Sequence, residues 1–331
     1  NSGAGGGNDL LIAKCDSSGI LQWDRTLGGT GTEIGQEVAI DSSDNIIAVG
    51  YADSDGAGGN DLLIAKYNSS GILQWDRTLG GTGTETGYGV AIDSSDNIIV
   101  VGQCDSDGAG NNDFLIVKYN SSGILQWDRT LGGTGTDIAR GVAIDSSDNI
   151  IVVGQSNSIG SFYDVIVAKY NSSGVLQWHK IYGVTASHNE IGYGVAVDSS
   201  DNIIIVGSTP AAGAGSNDAF IAKYNSSGVL QWDRVLGGTG YEIGHGVAID
   251  PSDNIIVVGQ TQSDGAGGTD FLIAKYNPSG VLQWDRTLGG SGTDLAYSVA
   301  IDSSDNIIVV GRTNSDGAGG HDFLIAKLPS D

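Results

Sequence analysis

The sequence predicts an all-β fold, a six-bladed β-propeller of four-stranded antiparallel blades with one surplus strand. The first observation is a repeat of roughly 52 residues that covers the whole chain of 331 residues. Each repeat carries one tryptophan, and these are Trp23, Trp75, Trp127, Trp178, Trp232 and Trp284. The second observation is that every repeat holds four short runs rich in β-branched and aromatic residues, ended by Gly, Asn, Asp or Ser and lacking a helical period.

The four runs of one repeat are seen in residues 87–133, and we name them strands A to D from the propeller axis outward. Strand B, NIIVVG, is apolar at consecutive positions, so we expect both of its faces to be buried between neighbouring sheets. Strand D, ILQWDRT, alternates apolar and polar residues, which is typical of a half-exposed outer strand. We expect its tryptophan to fill the space between adjacent blades, and the glycine of Ser-Ser-Gly to permit the tight turn from C to D.

A single propeller domain over residues 1–331 is predicted, with the ring closed by pairing of the N- and C-terminal segments. Motifs A, B and D occur six times, but motif C occurs seven times, from NDLLIAK at residue 8 to HDFLIAK at residue 321. Closure can use the first or the last copy of C, and the other copy is then redundant, disordered or donated to a neighbouring molecule. A β-solenoid is the alternative architecture, although its coils usually have shorter and more uniform repeats.

The composition excludes several classes of partner. The net charge is −24 and the pI is about 4.1, so nucleic acid and anionic membranes would repel the chain. No apolar run approaches the ~20 residues that span a bilayer. The chain contains no Met and no basic leader, so we expect it to be part of a longer product. Cys15 and Cys104 occupy different repeat positions, and we expect free, mostly buried thiols.

The repeat resembles a known family. The segment WDRTLGGTGTETGYGVAIDSSDNIIVVGQ at 75–103 and the DSDGAGG and AKYNSSG motifs that precede it are similar to the SBBP-type β-propeller repeats of secreted and surface proteins of bacteria and archaea. The resemblance implies a propeller in an extracellular or cell-surface protein and says little about activity. One departure is an aspartate where the family usually has glycine in the A–B hairpin, at Asp44, Asp96, Asp148, Asp201, Asp253 and Asp305.

Closely spaced aspartates beside glycines in the B–C loops are candidate Ca²⁺ ligands. They are Asp53, Asp55, Asp105, Asp107, Asp264 and Asp316. The distal glutamate of a complete calcium loop is absent, and Asp-Gly is also ordinary turn chemistry, so a purely structural turn remains the alternative. We predict no other cofactor, because the GGTGTETG segment lacks the lysine and the helix of a phosphate-binding loop.

Four C–D turns read Asn-Ser-Ser and match the N-glycosylation pattern. The acceptors are Asn68, Asn120, Asn171 and Asn225, whereas Asn277 fails because Pro278 follows it. In an exported archaeal or eukaryotic protein these turns could carry glycans, and in most bacteria they would be bare.

Most of the 15 lysines and arginines lie at two repeated positions, the Ala-Lys of strand C and the second residue after the tryptophan of strand D. We expect them to decorate the blade rims as solvated side chains in weak ion pairs. The alternative is that basic rims meet the acidic faces of other copies.

The sequence predicts a non-enzymatic function, since no Ser, His and Asp set has a recognisable spacing and the four histidines are scattered. We expect an extracellular structural or adhesive propeller module of a cell-surface protein or filament, self-assembling by exchange of a terminal strand. Its expected partners are other copies, neighbouring surface proteins or glycans. The alternative is a propeller module that binds Ca²⁺ or glycans.

Overall fold

The computed structural model of the chain describes residues 7–53, 58–105, 110–158, 160, 162–183, 188–210, 217–265, 267–315 and 320–329. Within these ranges every regular element is a strand, and no helix is present. The fold is the predicted all-β six-bladed propeller of four-stranded antiparallel sheets. The 25 strands of the described residues equal the number counted from the motifs.

Five sheets have four strands in the order A-B-C-D, and two terminal sheets have fewer. The first sheet contains β1 (Leu10–Cys15) and β2 (Leu21–Leu27). The second contains β3 (Glu33–Ile40), β4 (Ile46–Ala52), β5 (Asp61–Tyr67) and β6 (Leu73–Leu79). The third contains β7 (Glu85–Ile92), β8 (Ile98–Cys104), β9 (Asp113–Tyr119) and β10 (Leu125–Leu131). The fourth contains β11 (Asp137–Ile144), β12 (Ile150–Ser156), β13 (Asp164–Tyr170) and β14 (Leu176–Tyr182).

The fifth sheet contains β15 (Ile191–Val197), β16 (Ile203–Thr209), β17 (Asp218–Tyr224) and β18 (Leu230–Leu236). The sixth contains β19 (Ile243–Ile249), β20 (Ile255–Thr261), β21 (Asp270–Tyr276) and β22 (Leu282–Leu288). The seventh contains β23 (Leu295–Ile301), β24 (Ile307–Thr313) and β25 (Asp322–Leu328). The terminal sheets are therefore C-D and A-B-C, five strands where one blade needs four. Closure of the ring by these segments stays a prediction.

The chain divides into two compact units. The first comprises Asn1–Val152, Ser156–Ile159 and Tyr170–Val175, and it holds β1 to β11. The second comprises Val153–Gln155, Gly160–Lys169 and Leu176–Asp331, and it holds β14 to β25. Strands β12 and β13 contribute residues to both.

The core lies between successive sheets, as the apolar B strands predict. In the first unit, Ile47 and Ile64 of the second sheet share a buried cluster with Val100 and Val117 of the third sheet. Strands β4, β8 and β20 are buried almost throughout, whereas the D strands are mostly exposed. The expected half-exposed outer strand is thereby confirmed.

The tryptophans of the first five D strands pack on the C–D turn of the following sheet. The Trp75 Nε1 donates to the Ser121 carbonyl at 3.4 Å, and the Arg77 guanidinium lies 5.5 Å from the indole centroid. Gly123 has a φ of 74°, and a Cβ there would lie 2.8 Å from the Trp75 ring. The glycine therefore serves both the left-handed turn and the close approach of the indole, and the predicted inter-blade position of the tryptophan is confirmed.

Candidate functional site

Four of the strand C lysines, Lys66, Lys118, Lys169 and Lys223, are buried, so their prediction as solvated rim cations is wrong. Lys66 Nζ lies 2.7 Å from the Asp41 carboxylate in the A–B hairpin and donates to the Ser121 carbonyl at 3.1 Å. The antiparallel register places Lys66 beside strand B, from which its side chain reaches the hairpin. The contact links one sheet to the C–D turn of the next. These four lysines are structural, whereas the arginines of strand D are exposed at the rim.

The aspartate that begins each A–B hairpin is held in the ionised form by this pair and by local donors. We call these residues the hairpin aspartates: Asp41, Asp93, Asp145, Asp198, Asp250 and Asp302. Burial alone would raise the pKa of Asp41, but the Lys66 ammonium and hydrogen bonds from Asn45 and Ser43 lower it to about 2. The same opposing effects lower the pKa of most of the others.

The aspartates in the turns of the A–B hairpins adopt the left-handed conformation, with φ near 60° at Asp44, Asp96, Asp148, Asp201, Asp253 and Asp305. They also bond between sheets. Ser42 donates to the Asp96 carboxylate through its N–H at 2.9 Å and through its hydroxyl at 2.6 Å. Ser94 and Asp148 repeat this arrangement. An aspartate at this position is strained in the left-handed conformation, which glycine would adopt without strain. Its carboxylate in turn forms a charged hydrogen bond between consecutive hairpins.

The aspartates predicted as Ca²⁺ ligands in the B–C loops are only partly described. Asp53 and Asp105 accept hydrogen bonds from the N–H groups of Thr32 and Thr84 across the neighbouring loop, and Asp264 is exposed. Asp55, Asp107 and Asp316 lie outside the described residues. Across the described ranges, no group of three or more His, Cys, Asp or Glu side chains could hold a metal ion. Calcium binding by these loops stays a prediction.

The four predicted glycosylation asparagines each begin a C–D turn. The Asn68 Oδ1 accepts from the N–H groups of Ser70 at 3.0 Å and Ile72 at 2.9 Å. Asn120, Asn171 and Asn225 repeat this turn. Asp16 makes the same bonds in the first sheet, so a turn role alone accounts for the residue type. Glycosylation stays a prediction.

A pair of buried carboxylates between successive sheets was missed by the sequence analysis. Asp61 begins β5, Glu85 begins β7, and their exposed fractions are 2% and 3%. Both approach Gly80, where a Cβ would overlap the Asp61 Oδ1 and lie 2.7 Å from the Glu85 Oε2. A glycine with two carboxylates around it recurs at Gly28, Gly132, Gly237 and Gly289.

The Asp61–Glu85 pair retains oxygens that no protein donor reaches. The Glu85 Oε2 accepts from the Gly81 N–H at 2.9 Å, but the Glu85 Oε1 and the Asp61 Oδ1 are buried without a hydrogen bond. Burial, and then the neighbouring Glu85 carboxylate, raise the pKa of Asp61.

The equivalent site of the sixth sheet shows what the Glu85 Oε1 lacks. There the Glu242 Oε1 accepts from the Thr261 hydroxyl at 3.1 Å and the Ser263 N–H at 3.1 Å. Burial alone would raise the pKa of Glu242, but hydrogen bonds from Ser263, Gly238, Thr261 and Gln262 lower it. Cys104 occupies the position of Thr261 in the third sheet, opposite Glu85.

A cavity of about 270 Å³ adjoins the Asp61–Glu85 pair. It is lined by Gly80, Glu85 and Cys104, together with Asp128 and other residues of the second and third sheets. Asp128 is exposed, so solvent reaches the cavity. Neither cysteine forms a disulfide, as expected, but Cys15 is exposed and only Cys104 is buried.

The innermost strands carry a position that differs between repeats. The A–B ladders shift register by a β-bulge, and the bulged residues are Gln36, Tyr88, Tyr193, His245 and Tyr297. In the second unit the His245 ring centroid lies 5.0 Å from that of Tyr193 and 5.7 Å from that of Tyr297. Bulges re-aim side chains and occur often beside functional sites, so these aromatic rings are a candidate binding surface.

The two faces of strand C contact different neighbours. In β5, Leu62 and Ile64 pack with the third sheet, whereas Leu63 and Ala65 pack with β1 of the first sheet. A C strand inside the array is therefore covered on both faces.

The terminal sheets expose apolar side chains that are buried elsewhere in the array. Phe323 of β25 is 72% exposed, whereas the equivalent Phe271 is 0% exposed. Ile325 on the same face is also exposed. At the other end, Val38 and Ile40 of β3 are exposed beside a first sheet that has no A or B strand. These residues, which we call the end surfaces, form a further candidate binding site.

The comparisons with known proteins identify a propeller repeat without an assigned activity. The family described as "Domain of unknown function (DUF5122) beta-propeller" matches residues 146–176 and 251–282. The chain is also similar to a crystal structure of a protein of unknown function from Bacteroides caccae, with a TM-score of 0.50 and 12% identity over 83% of this chain and 88% of that one. This likeness shows the fold alone.

Two curated relatives are distant. An uncharacterized WD repeat-containing protein, L264, of Acanthamoeba polyphaga mimivirus is 24% identical over 88% of this chain. The regulatory protein FlaEY of Caulobacter vibrioides is 29% identical over 30% of this chain. The match spans only 31% of the first relative and 12% of the second. No helix in the described part of the chain is long and apolar enough to cross a membrane.

Proposed function

We propose that this chain is a non-enzymatic, extracellular structural or adhesive module of the SBBP-type surface-protein class, whose copies associate through their end surfaces. The observation that carries the proposal is the incomplete terminal sheets, which hold five strands where one blade needs four. Exposed apolar faces and unpaired strand edges are the surfaces through which β-proteins add a further chain.

The two end surfaces are complementary in kind. The first sheet has strands C and D, and the last sheet has strands A, B and C. The last sheet ends at β25 and lacks a strand D, whereas the first sheet ends at β1 and lacks strands A and B. Phe323 and Ile325 occupy the face that packs on the following sheet inside the array. A second copy of this chain is therefore the occupant that best fits both ends.

The test is the mass of the protein in solution as a function of concentration, measured by size-exclusion chromatography with light scattering. We expect the chain to self-associate, and deletion of residues 1–16, which removes β1, to abolish the association. Because β1 also covers Leu63, Phe323→Glu is a second variant that leaves β1 in place. Ile72→Glu is the matched control, since Ile72 is exposed on a C–D turn inside the array.

Two results would contradict the proposal: a monomer at every concentration, or an association that survives both the deletion and Phe323→Glu. A loss of association in Ile72→Glu as well would mean that general surface hydrophobicity drives it. Intact-mass spectrometry of the chain secreted from a eukaryotic host would test the four sequons, each glycan adding a discrete mass at Asn68 or its equivalents.

A second candidate function is binding of glycans or cations. The observation that favours glycans is the row of rings from Tyr193, His245 and Tyr297 on three successive inner strands, because aromatic side chains give binding sites flat, partly apolar contact areas. Glycan-array binding that is lost in Tyr297→Ala and retained in Ile72→Glu would support it. Binding that is unchanged in Tyr297→Ala would remove it.

A further inference from the structure

The Asp61–Glu85 pair has too few donors for two buried carboxylates. The Gly81 N–H donates to the Glu85 Oε2. The Asp61 Oδ1 and the Glu85 Oε1 are buried and accept nothing. Burying an ionised carboxylate without a partner costs several kcal/mol. A cation bound between the two carboxylates would remove this cost.

Gly80 leaves room for the two carboxylates. A side chain at Gly80 would overlap the Asp61 Oδ1 and press on the Glu85 Oε2. Asp61 and Glu85 are fixed by the starts of β5 and β7, and the Glu85 N–H donates to the Asn60 carbonyl at 2.7 Å. The two carboxylates are thus held toward one point by different sheets.

We propose that a Ca²⁺ ion binds between the Asp61 and Glu85 carboxylates at the junction of the second and third sheets. Ca²⁺ binds hard oxygen ligands, accepts irregular geometry and completes a shell of about six to eight oxygens with water and backbone carbonyls. The adjoining cavity of about 270 Å³ has room for those waters, and the exposed Asp128 on its wall attracts cations to it. Mg²⁺ fits less well because it demands a near-ideal octahedron.

The ion would join the second and third sheets where β5 and β7 begin. The lysine pairs join consecutive sheets elsewhere, between the A–B hairpin of one sheet and the C–D turn of the next. Oxygens without a hydrogen bond recur at Asp137 and Asp294, the equivalents of Glu85 in two other repeats. The proposal differs from the predicted loop sites, because it places the ion on buried strand residues. It is independent of the proposed self-association.

The experiment is equilibrium dialysis of the chelated full chain against radioactive Ca²⁺, with thermal melts in EDTA and in Ca²⁺. We expect Asp61→Asn combined with Glu85→Gln to bind one ion fewer per chain than the wild type. In EDTA the double variant should melt above the wild type, because it lacks the two uncompensated charges. In Ca²⁺ the wild type should gain stability and the double variant should gain less.

Asp44→Asn is the matched control. It removes one charge from an exposed hairpin position with a φ of 60°, a conformation that Asn tolerates. It should bind as many ions as the wild type. A wild type that binds no Ca²⁺, or a double variant that binds as many ions as the wild type, overturns the proposal. A wild type that binds none and is stabilised as the pH falls from 7 to 5 would show that the pair shares a proton instead.

Discussion

Replacing the buried Lys118 should destabilise the propeller strongly. Its Nζ lies 2.8 Å from the Asp93 carboxylate and donates to the Ser172 carbonyl at 3.1 Å, and its side chain is 8% exposed. Lys118→Met keeps the aliphatic stem and removes the charge. Breaking a buried ion pair on one side costs about 3–5 kcal/mol. Asp93 keeps hydrogen bonds from Ser95 and Asn97, so we expect the lower end, about 3 kcal/mol.

The last sheet provides the control for burial. Lys327 makes the same pair with Asp302 at 2.8 Å, but its side chain is 48% exposed. Water solvates both charges there, so Lys327→Met should change stability little. Guanidinium unfolding followed by tryptophan fluorescence measures both variants. Equal losses in the two variants would refute the reasoning, because the chemistry is identical and only the burial differs.

Three further predictions concern the turns, the carboxylate pair and pH. Gly123→Ala should destabilise the chain more than Gly19→Ala, since both glycines have a φ near 75° but only a Cβ at Gly123 meets the Trp75 ring; equal melting temperatures would contradict this. Cys104→Thr should raise stability in EDTA by about 1 kcal/mol, by giving the Glu85 Oε1 a hydroxyl donor, and no change would show that the oxygen is already satisfied. The hairpin aspartates have depressed pKa values in the folded state, so their contribution is complete above an unfolded pKa of about 3.9 and is lost as the pH falls further. Urea midpoints should therefore drop between about pH 4 and pH 2, and midpoints that stay level over that range would contradict the assignment.

The strands and the tryptophan contacts were predictable because their signals are local. Val100 lies in an unbroken apolar run, which indicates a strand covered on both faces. Trp75 stands in an alternating run that indicates an outer strand. The start of strand A could not be predicted, because Glu85 and Thr86 precede its apolar residues and have the polar character of a loop. The structure begins the strand at Glu85, where burial of a carboxylate overrides that pattern.

The carboxylate pair could not be predicted because its two members belong to separate motifs. In the sequence, Asp61 lies at the end of a loop segment, and Glu85 lies at the end of a glycine-rich turn. Only the packing of one sheet on the next brings both to Gly80. The error over Lys66 has the same origin. The sequence of a strand indicates on which face of the sheet a side chain lies, but not which hairpin that side chain reaches.

Near-identical repeats confine functional differences to a few places. Where the repeats agree, as in the lysine pairs inside the array, the contacts recur with nearly the same distances. A specific site must then arise where a repeat differs or where the array ends. Cys104 is a place where a repeat differs, because Thr261 occupies the equivalent position. Phe323 is a place where the array ends, because no further sheet covers it. A substitution at either place can therefore be compared with its equivalent in another repeat, which separates a functional effect from the cost of disturbing the fold.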